Sequence, residues 1–384
     1  MREGWTYKKL GEVCEILNGF AFKSDKYVEQ GIRVLRITNV QKGAIVDNDP
    51  KYYPYDEESN IKQYMLNEND LLMSLTGNVG RVGLLQKGLL PAALNQRVAC
   101  LRLLSDIALL KYLFHLLNSD RFEKDSIFNA AGIAQKNMST EWLKKYVIPI
   151  PPLSEQQRIV SELDLLSSII EMKKAQLKAY DQLSQSIFFD MFGDPITNEK
   201  GWEVKKLGDV GIIVAGSTPS TNDESNWDGH VNWVTPAELG EQLYYGETAR
   251  KLTDKGAKGL TMMPIGTVLL SSRAPIGKLA ITTVPMCCNQ GFKNIICNNT
   301  INNVFLYYYL KNTMDLVQAL GRGATFKEVS KSAISSYKII LPPLSLQQSF
   351  AEKIETIEHQ KALIQQSIAE TETLFNSRMD YYFN

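Results

Sequence analysis

The chain has 384 residues, 44% of them hydrophobic and 22% charged, enough for two or three domains with substantial cores. Lysine plus arginine and aspartate plus glutamate both number 42, so no global excess marks a nucleic-acid or membrane partner, although a sum does not reveal how charge is segregated. No apolar run of about eighteen residues occurs and the opening MREGWTYKKLGEV lacks the apolar stretch of a signal peptide, so a cytoplasmic location with no membrane contact is expected.

Taken in order, the chain repeats itself. GWTYKKLGEV from Gly4 returns as GWEVKKLGDV from Gly201, an offset of 197. LLMSLTGNVG from Leu71 matches VLLSSRAPIG from Val268 at the same offset, pairing Ser74 with Ser271 and Gly80 with Gly277. Asn95-Gln96 matches Asn289-Gln290 at 194, and GIAQKNMSTEWLKKY from Gly132 matches GATFKEVSKSAISSY from Gly323 at 191. PPLSEQQ from Pro151 and PPLSLQQ from Pro342 keep that last offset. So many collinear anchors mean a tandem duplication of a unit of about 190 residues, a globule followed by a helix.

Within each globule, short β-branched and aromatic runs at 32–40, 71–75, 98–103, 231–235, 268–271 and 293–297 are separated by Gly, Asn, Asp and Pro and predict strands. Helices are expected at 107–118 and 304–320, with shorter ones at 138–145 and 327–332. The fold class is therefore mixed α/β (α+β), two similar globules with a curved, mainly antiparallel sheet.

After each globule comes a long helix. Ser154 with Gln157 and Ser345 with Gln348 have the spacing of a capping box, and Gly193 followed by Pro195 marks a stop for the first copy. Leu163, Leu166, Ile170, Leu177, Tyr180 and Ile187 form an apolar seam on the first helix, as do Ile354, Ile357, Ile364, Ile368 and Phe375 on the second. Lys173, Ser184, Lys361, Thr371 and Arg378 interrupt these seams. A helix of nearly forty residues is about 55–60 Å long, more than a domain diameter, so the two are expected to pair antiparallel as a coiled-coil-like spacer. The domain boundaries that follow are 1–150, 151–193, 194–341 and 342–384.

Catalytic motifs are lacking. The five cysteines contain no CxxC pair, and with three histidines neither a zinc pattern nor a Ser-His-Asp arrangement can be assembled. Cys287 and Cys288 read as apolar residues. GNVGRVG at residues 77–83 fits a turn better than a dinucleotide loop, and no GxxxxGK[ST] is present. Neither metal nor cofactor is expected on this chain.

The turns after the shared strands are rich in side chains that read base edges or phosphates: Arg36, Thr38 and Asn39; Asn78 and Arg81; Asn95, Gln96 and Arg97; Gln135 and Lys136. The second half offers Asn232, Trp233 and Thr235; Ser272, Arg273 and Lys278; Asn289, Gln290 and Lys293; Thr325 and Lys327. Each has an alternative as an ordinary turn residue, and the two Asn-Gln steps serve equally well as structural ties from loop to sheet. What favours double-stranded DNA is that the halves share a frame and differ at these positions, as two readers of different short sequences would. A protein-interaction scaffold with two divergent globules on a rigid helical arm is the competing reading.

The WxxxKLGxV opening, the strand ending in Ser with a turn ending in Gly, the Asn-Gln step and the Pro-Pro-Leu-Ser with Gln-Gln before a long helix, all present twice, resemble the specificity subunit of type I restriction-modification enzymes. Leu346 departs from the acidic residue usual before the second Gln-Gln. The resemblance covers essentially the whole chain and implies a non-catalytic subunit: two target recognition domains on a split DNA site, held apart by the helices. It further implies two methyltransferase (modification) subunits as partners, modifying adenine with S-adenosylmethionine bound by the partner, and a motor-nuclease (restriction) subunit.

Overall fold

The computed structural model of the chain describes residues 4–130, 137–273, 275–321 and 328–384. It divides into two compact units, residues 1–174 with 366–384 and residues 175–365, and the division falls inside both long helices, Leu153–Phe192 and Leu344–Phe383.

In the first unit the opening strand Thr6–Lys9 pairs antiparallel with Val147–Ile150, so the globule closes on its own first and last strands. The main sheet runs Cys14–Asn18, Val98–Leu103, Leu71–Ser74, Val82–Leu84, all antiparallel. Leu71–Ser74 is buried at every position, which is why it reads as an unbroken apolar run rather than an alternation. Beside it lies a small sheet, Tyr52–Tyr53, Ile32–Leu35, Ala92–Leu94, whose last pair is parallel. The expected strand at 32–40 thus ends at Leu35, where the chain turns.

The second unit repeats this plan. Glu203–Lys206 closes on Lys338–Leu341, the main sheet runs Gly211–Ala215, Lys293–Cys297, Val268–Leu270, Leu279–Thr282, Tyr244–Tyr245, and Trp227–Val234 lies parallel to Cys287–Cys288. Cys287 and Cys288 are buried, and burial pushes the Cys288 thiol up to about 12. The helix expected at 107–118 spans Leu110–Leu117, and the one expected at 304–320 is two, Asn303–Asn312 and Met314–Ala319. The short helices are Thr140–Lys145 and Lys331–Ser336, each capped by a serine, Ser139 and Ser330, that accepts from an N–H of the first turn at 3.1 Å.

Both long helices end in globular cores. In the first unit Leu163, near the start of one helix, and Met379, Tyr382 and Phe383, at the end of the other, share a core with Tyr112 and Leu113. In the second unit Phe188 and Phe192 join Phe305, Phe350, Ile354 and Ile357. Ile170, Leu166 and Ile368 are buried, while Leu177, Tyr180, Ile187, Ile364 and Phe375 are half-buried.

The polar residues that interrupt the seams are used. In the first unit Arg378 Nη2 lies 3.0 Å from Glu162 Oε2 and Lys173 Nζ donates to Thr371 Oγ1 at 3.2 Å; in the second Lys361 Nζ lies 2.8 Å from Asp181 Oδ1. Residue numbers rise along one helix as they fall along the other, so the pairing is antiparallel. Directional polar contacts of this kind fix register where an all-apolar seam permits sliding.

The helix starts differ from the capping boxes expected at Ser154 and Ser345. Each helix begins one residue earlier, at Leu153 and Leu344, the serines are exposed in the first turn, and Gln157 donates to Ser161 instead of reaching back. The other glutamine of each pair takes over. Gln156 is fully buried, accepts from Leu109 N at 2.8 Å and donates to Pro151 O at 2.8 Å and Ile107 O at 2.9 Å. Gln347 repeats this with Asn302 N and Pro342 O, both at 2.8 Å. A local rule lost to a tertiary one, because a buried amide that satisfies three backbone groups outweighs a solvent-exposed cap. Gln156→Leu removes the partner of the half-buried Leu109 N–H and the donor to Pro151 O and Ile107 O, and is expected to destabilise the first unit by about 1–3 kcal/mol, read as a lower denaturant midpoint at unchanged slope.

Candidate nucleic-acid interface

In each unit the fold gathers the polar turns at one end of the sheets. The parallel pair Ile32–Leu35 and Ala92–Leu94 points both following turns the same way, and Asn95 N donates to Leu35 O at 3.2 Å. The turn after Leu71–Ser74 joins them, with Leu75 N on Arg97 O at 3.0 Å and Met138 N on Leu75 O at 2.8 Å. The second unit reproduces these contacts. Asn289 N donates to Val234 O at 3.1 Å, Ser272 N to Gly291 O at 2.7 Å and Val329 N to Ser272 O at 2.9 Å.

The turn itself is duplicated in detail. Ser74 Oγ accepts from Arg81 N at 3.1 Å and Ser271 Oγ from Lys278 N at 2.8 Å, while Gly80 N and Gly277 N close back on the two serine carbonyls at 2.9 and 3.0 Å. Both glycines have positive φ, +79° and +105°, which explains their retention at matching places. Gly19 and Gly216, also at matching places, have backbones so close to Asn95 and Asn289 that a Cβ would collide with them. Sequence reasoning passed over this second pair although both lie at the 197 offset.

Several sequence-predicted site residues turn out to be internal. Asn39 is 3% exposed and donates to Val46 O at 2.8 Å; Trp233 is 3% exposed, edge-on to Trp227, and donates to Ser217 O at 3.1 Å. Ser272 is 1% and Lys293 7% exposed, and the Lys293 ammonium is spent on Ser272 Oγ and Glu328 Oε1, each at 3.2 Å. These four hold the loops and are corrected from contact residues to structural ones. Thr235 is tied to Glu238, and the half-buried Asn232 accepts from Thr248 at 3.2 Å. The Asn-Gln steps divide their labour: Asn95 and Asn289 turn their side-chain oxygens onto the N–H two residues on, at 3.2 and 2.9 Å, while Gln96 and Gln290 are exposed.

What remains at the surface differs between the units. In the first, Thr38, Asn78, Gln96 and Arg97 are exposed, and Arg36 and Arg81 are half-buried with their guanidinium groups on Asp49 and Gln41. In the second, Arg273 is exposed beside Glu328, Lys278 is half-buried, and Gln290 accepts from Thr218. Burial pushes the Glu328 carboxyl up, but the hydrogen bonds and charges of Lys293 and Arg273 outweigh it and hold the group below its ordinary value. Gln135, Lys136, Thr325 and Lys327 lie outside the described residues. Among the described residues no cluster of His, Cys, Asp and Glu has the arrangement of a metal site, and no helix is long and apolar enough to cross a membrane.

The chain is similar to known proteins along its whole length. The family model described as the type I restriction modification DNA specificity domain matches residues 2–179 and again 199–373. The type I restriction enzyme MjaIX specificity subunit of Methanocaldococcus jannaschii is 40% identical over 158 residues, 40% of this chain and 37% of that protein. The putative MjaX specificity subunit of the same organism is 25% identical over 386 residues, 93% of this chain and 87% of that protein. Two solved structures share the fold. A chain from a type I R-M system, solved for its complex assembly and conformational transition, superposes with a TM-score of 0.60 at 21% identity, covering 100% of this chain and 98% of that one. The S subunit from M. genitalium gives 0.58 at 16%, covering 99% and 96%. With the family's domain present twice, on the same two stretches that carry the duplicated loop frame, the chain belongs to the specificity subunits of type I restriction-modification enzymes.

Proposed function

We propose that the chain is the DNA sequence-recognition subunit of a type I restriction-modification complex, without catalytic activity of its own. Each unit reads one half of a bipartite site. Methyltransferase subunits, two in number, modify adenine with S-adenosylmethionine bound by them, and a restriction subunit cleaves. The observation that carries this reading is the pair of loop clusters, equal in backbone hydrogen bonds and unequal in exposed side chains. A scaffold for two proteins gives no reason for polar, hydrogen-bonding differences concentrated on the same turns, whereas direct readout of two base sequences requires them.

The test is to purify the chain with its methyltransferase partner and sequence the sites it methylates in random duplex DNA. A split motif is expected, with binding that weakens steeply between low and moderate salt. Methylation of all sequences alike, or methylation by the isolated chain, would overturn the assignment, and salt-independent association with proteins alone would favour the scaffold.

A further inference from the structure

At the end of the strand that leads into the duplicated turn, a short bridge joins equivalent positions, Thr76 with Asn137 in the first unit and Arg273 with Glu328 in the second. The chemistry at this one place has diverged completely. In the first unit Asn137 is exposed and the Thr76 hydroxyl is buried with no partner among the described residues. In the second, Glu328 Oε2 lies 3.0 Å from Arg273 Nε and Oε1 lies 3.2 Å from Lys293 Nζ. Lys293 is 7% exposed and also bound to Ser272, so the carboxylate is held from below by an ammonium that has nowhere else to go.

Arg273 itself sits at the surface, its side chain 50% exposed. Glu328 occupies Nε, and neither Nη amine donates a hydrogen bond to a described residue. The free edge of the guanidinium is a two-donor fork, matched to the O6 and N7 acceptors of guanine. A phosphate presents two acceptors as well, but one bonded to Arg273 meets the repulsion of the Glu328 carboxylate, which offsets part of the attraction of Arg273 and Lys293. An uncharged base edge meets no such repulsion.

We propose that Glu328, anchored by Lys293, is a positioning residue for Arg273, and that Arg273 reads a guanine in the half-site bound by the second unit. This rests on the DNA-recognition reading above and adds to it a residue, a base and a half-site. The first unit, with threonine and asparagine at the same place, has no such reader there.

The full chain with its methyltransferase partner is mixed with duplexes randomised over both half-sites, and the bound fraction is sequenced. The wild type is expected to prefer a G·C pair at one position of one half-site. Arg273→Lys, a surface change that keeps the charge and removes the fork, and Glu328→Gln should each reduce that preference roughly tenfold, with the other half-site unchanged. Because Glu328 acts through Arg273, adding Glu328→Gln to Arg273→Lys should change nothing further. An even loss over all sequences with the salt slope lowered by about one would make Arg273 a phosphate contact and overturn the proposal. So would an unchanged preference in Arg273→Lys, a Glu328→Gln effect that adds fully to that of Arg273→Lys, or a wild type that selects no guanine. A wild type without sequence preference in either half-site would instead overturn the DNA-recognition reading itself.

Discussion

Truncating Phe192 to alanine is expected to destabilise the second unit by about 3–5 kcal/mol, the cost of removing a fully buried aromatic ring from a core that cannot close over the gap. Its ring centroid lies 4.8 Å from that of Phe305, 5.1 Å from Phe188 and 5.3 Å from Phe350, in tilted and edge-on geometries that allow no neighbour to swing into the vacated volume without leaving its own contacts. Limited proteolysis reads the effect by region. Cleavage should speed up within residues 201–341 and not within 5–150, because Phe192 contributes to the second core and not to the first. Equal sensitisation of both stretches would mean that the two cores unfold as one.

The second large effect concerns length. Lys173 with Thr371 and Lys361 with Asp181 pin the helices on either side of a short stretch, so lengthening one helix alone breaks a pin while lengthening both keeps them. Four residues inserted after Ala179 and four after Leu363 add about one turn, or 6 Å, to each helix. If the helix pair sets the spacing of the half-sites, the non-specific spacer should grow by nearly two base pairs with both half-sites unaltered, as read by methylome sequencing of cells carrying the complex. An unchanged spacer with altered bases would end the ruler interpretation.

The duplication, both long helices and the Gly193 stop were legible because they rest on local spacing and local chemistry. Gly193 indeed has φ +75° and its N–H donates to Phe189 O at 2.8 Å. The inward orientation of Asn39, Trp233, Ser272 and Lys293 was not. In strands and turns this short, one residue of register decides which face a side chain takes, and composition does not reveal it. Helix Asp120–Ala130 escaped notice for the opposite reason, since DRFEKDSIFNA buries only Phe122, Ser126 and Ala130 and has too few apolar residues to set a period. Glu328 was visible as the counterpart of Asn137 at the 191 offset, but nothing in one sequence says that a carboxylate there meets a buried lysine.

Residues 379–384 finish the core of the unit that is synthesised first. The Phe383 ring packs 5.7 Å from that of Tyr112, Tyr382 is 2% exposed, and the Asn384 side chain accepts from Arg121 N at 3.0 Å. On the ribosome, at 5–20 residues per second, the nascent first globule therefore waits roughly 10–40 s for the segment that completes it, while the second globule has its Phe188 and Phe192 in hand before its own strands emerge. A stop codon or frameshift between residues 366 and 379 thus leaves the open core in the older half of the product, and it is that half that chaperones and proteases would meet unfinished.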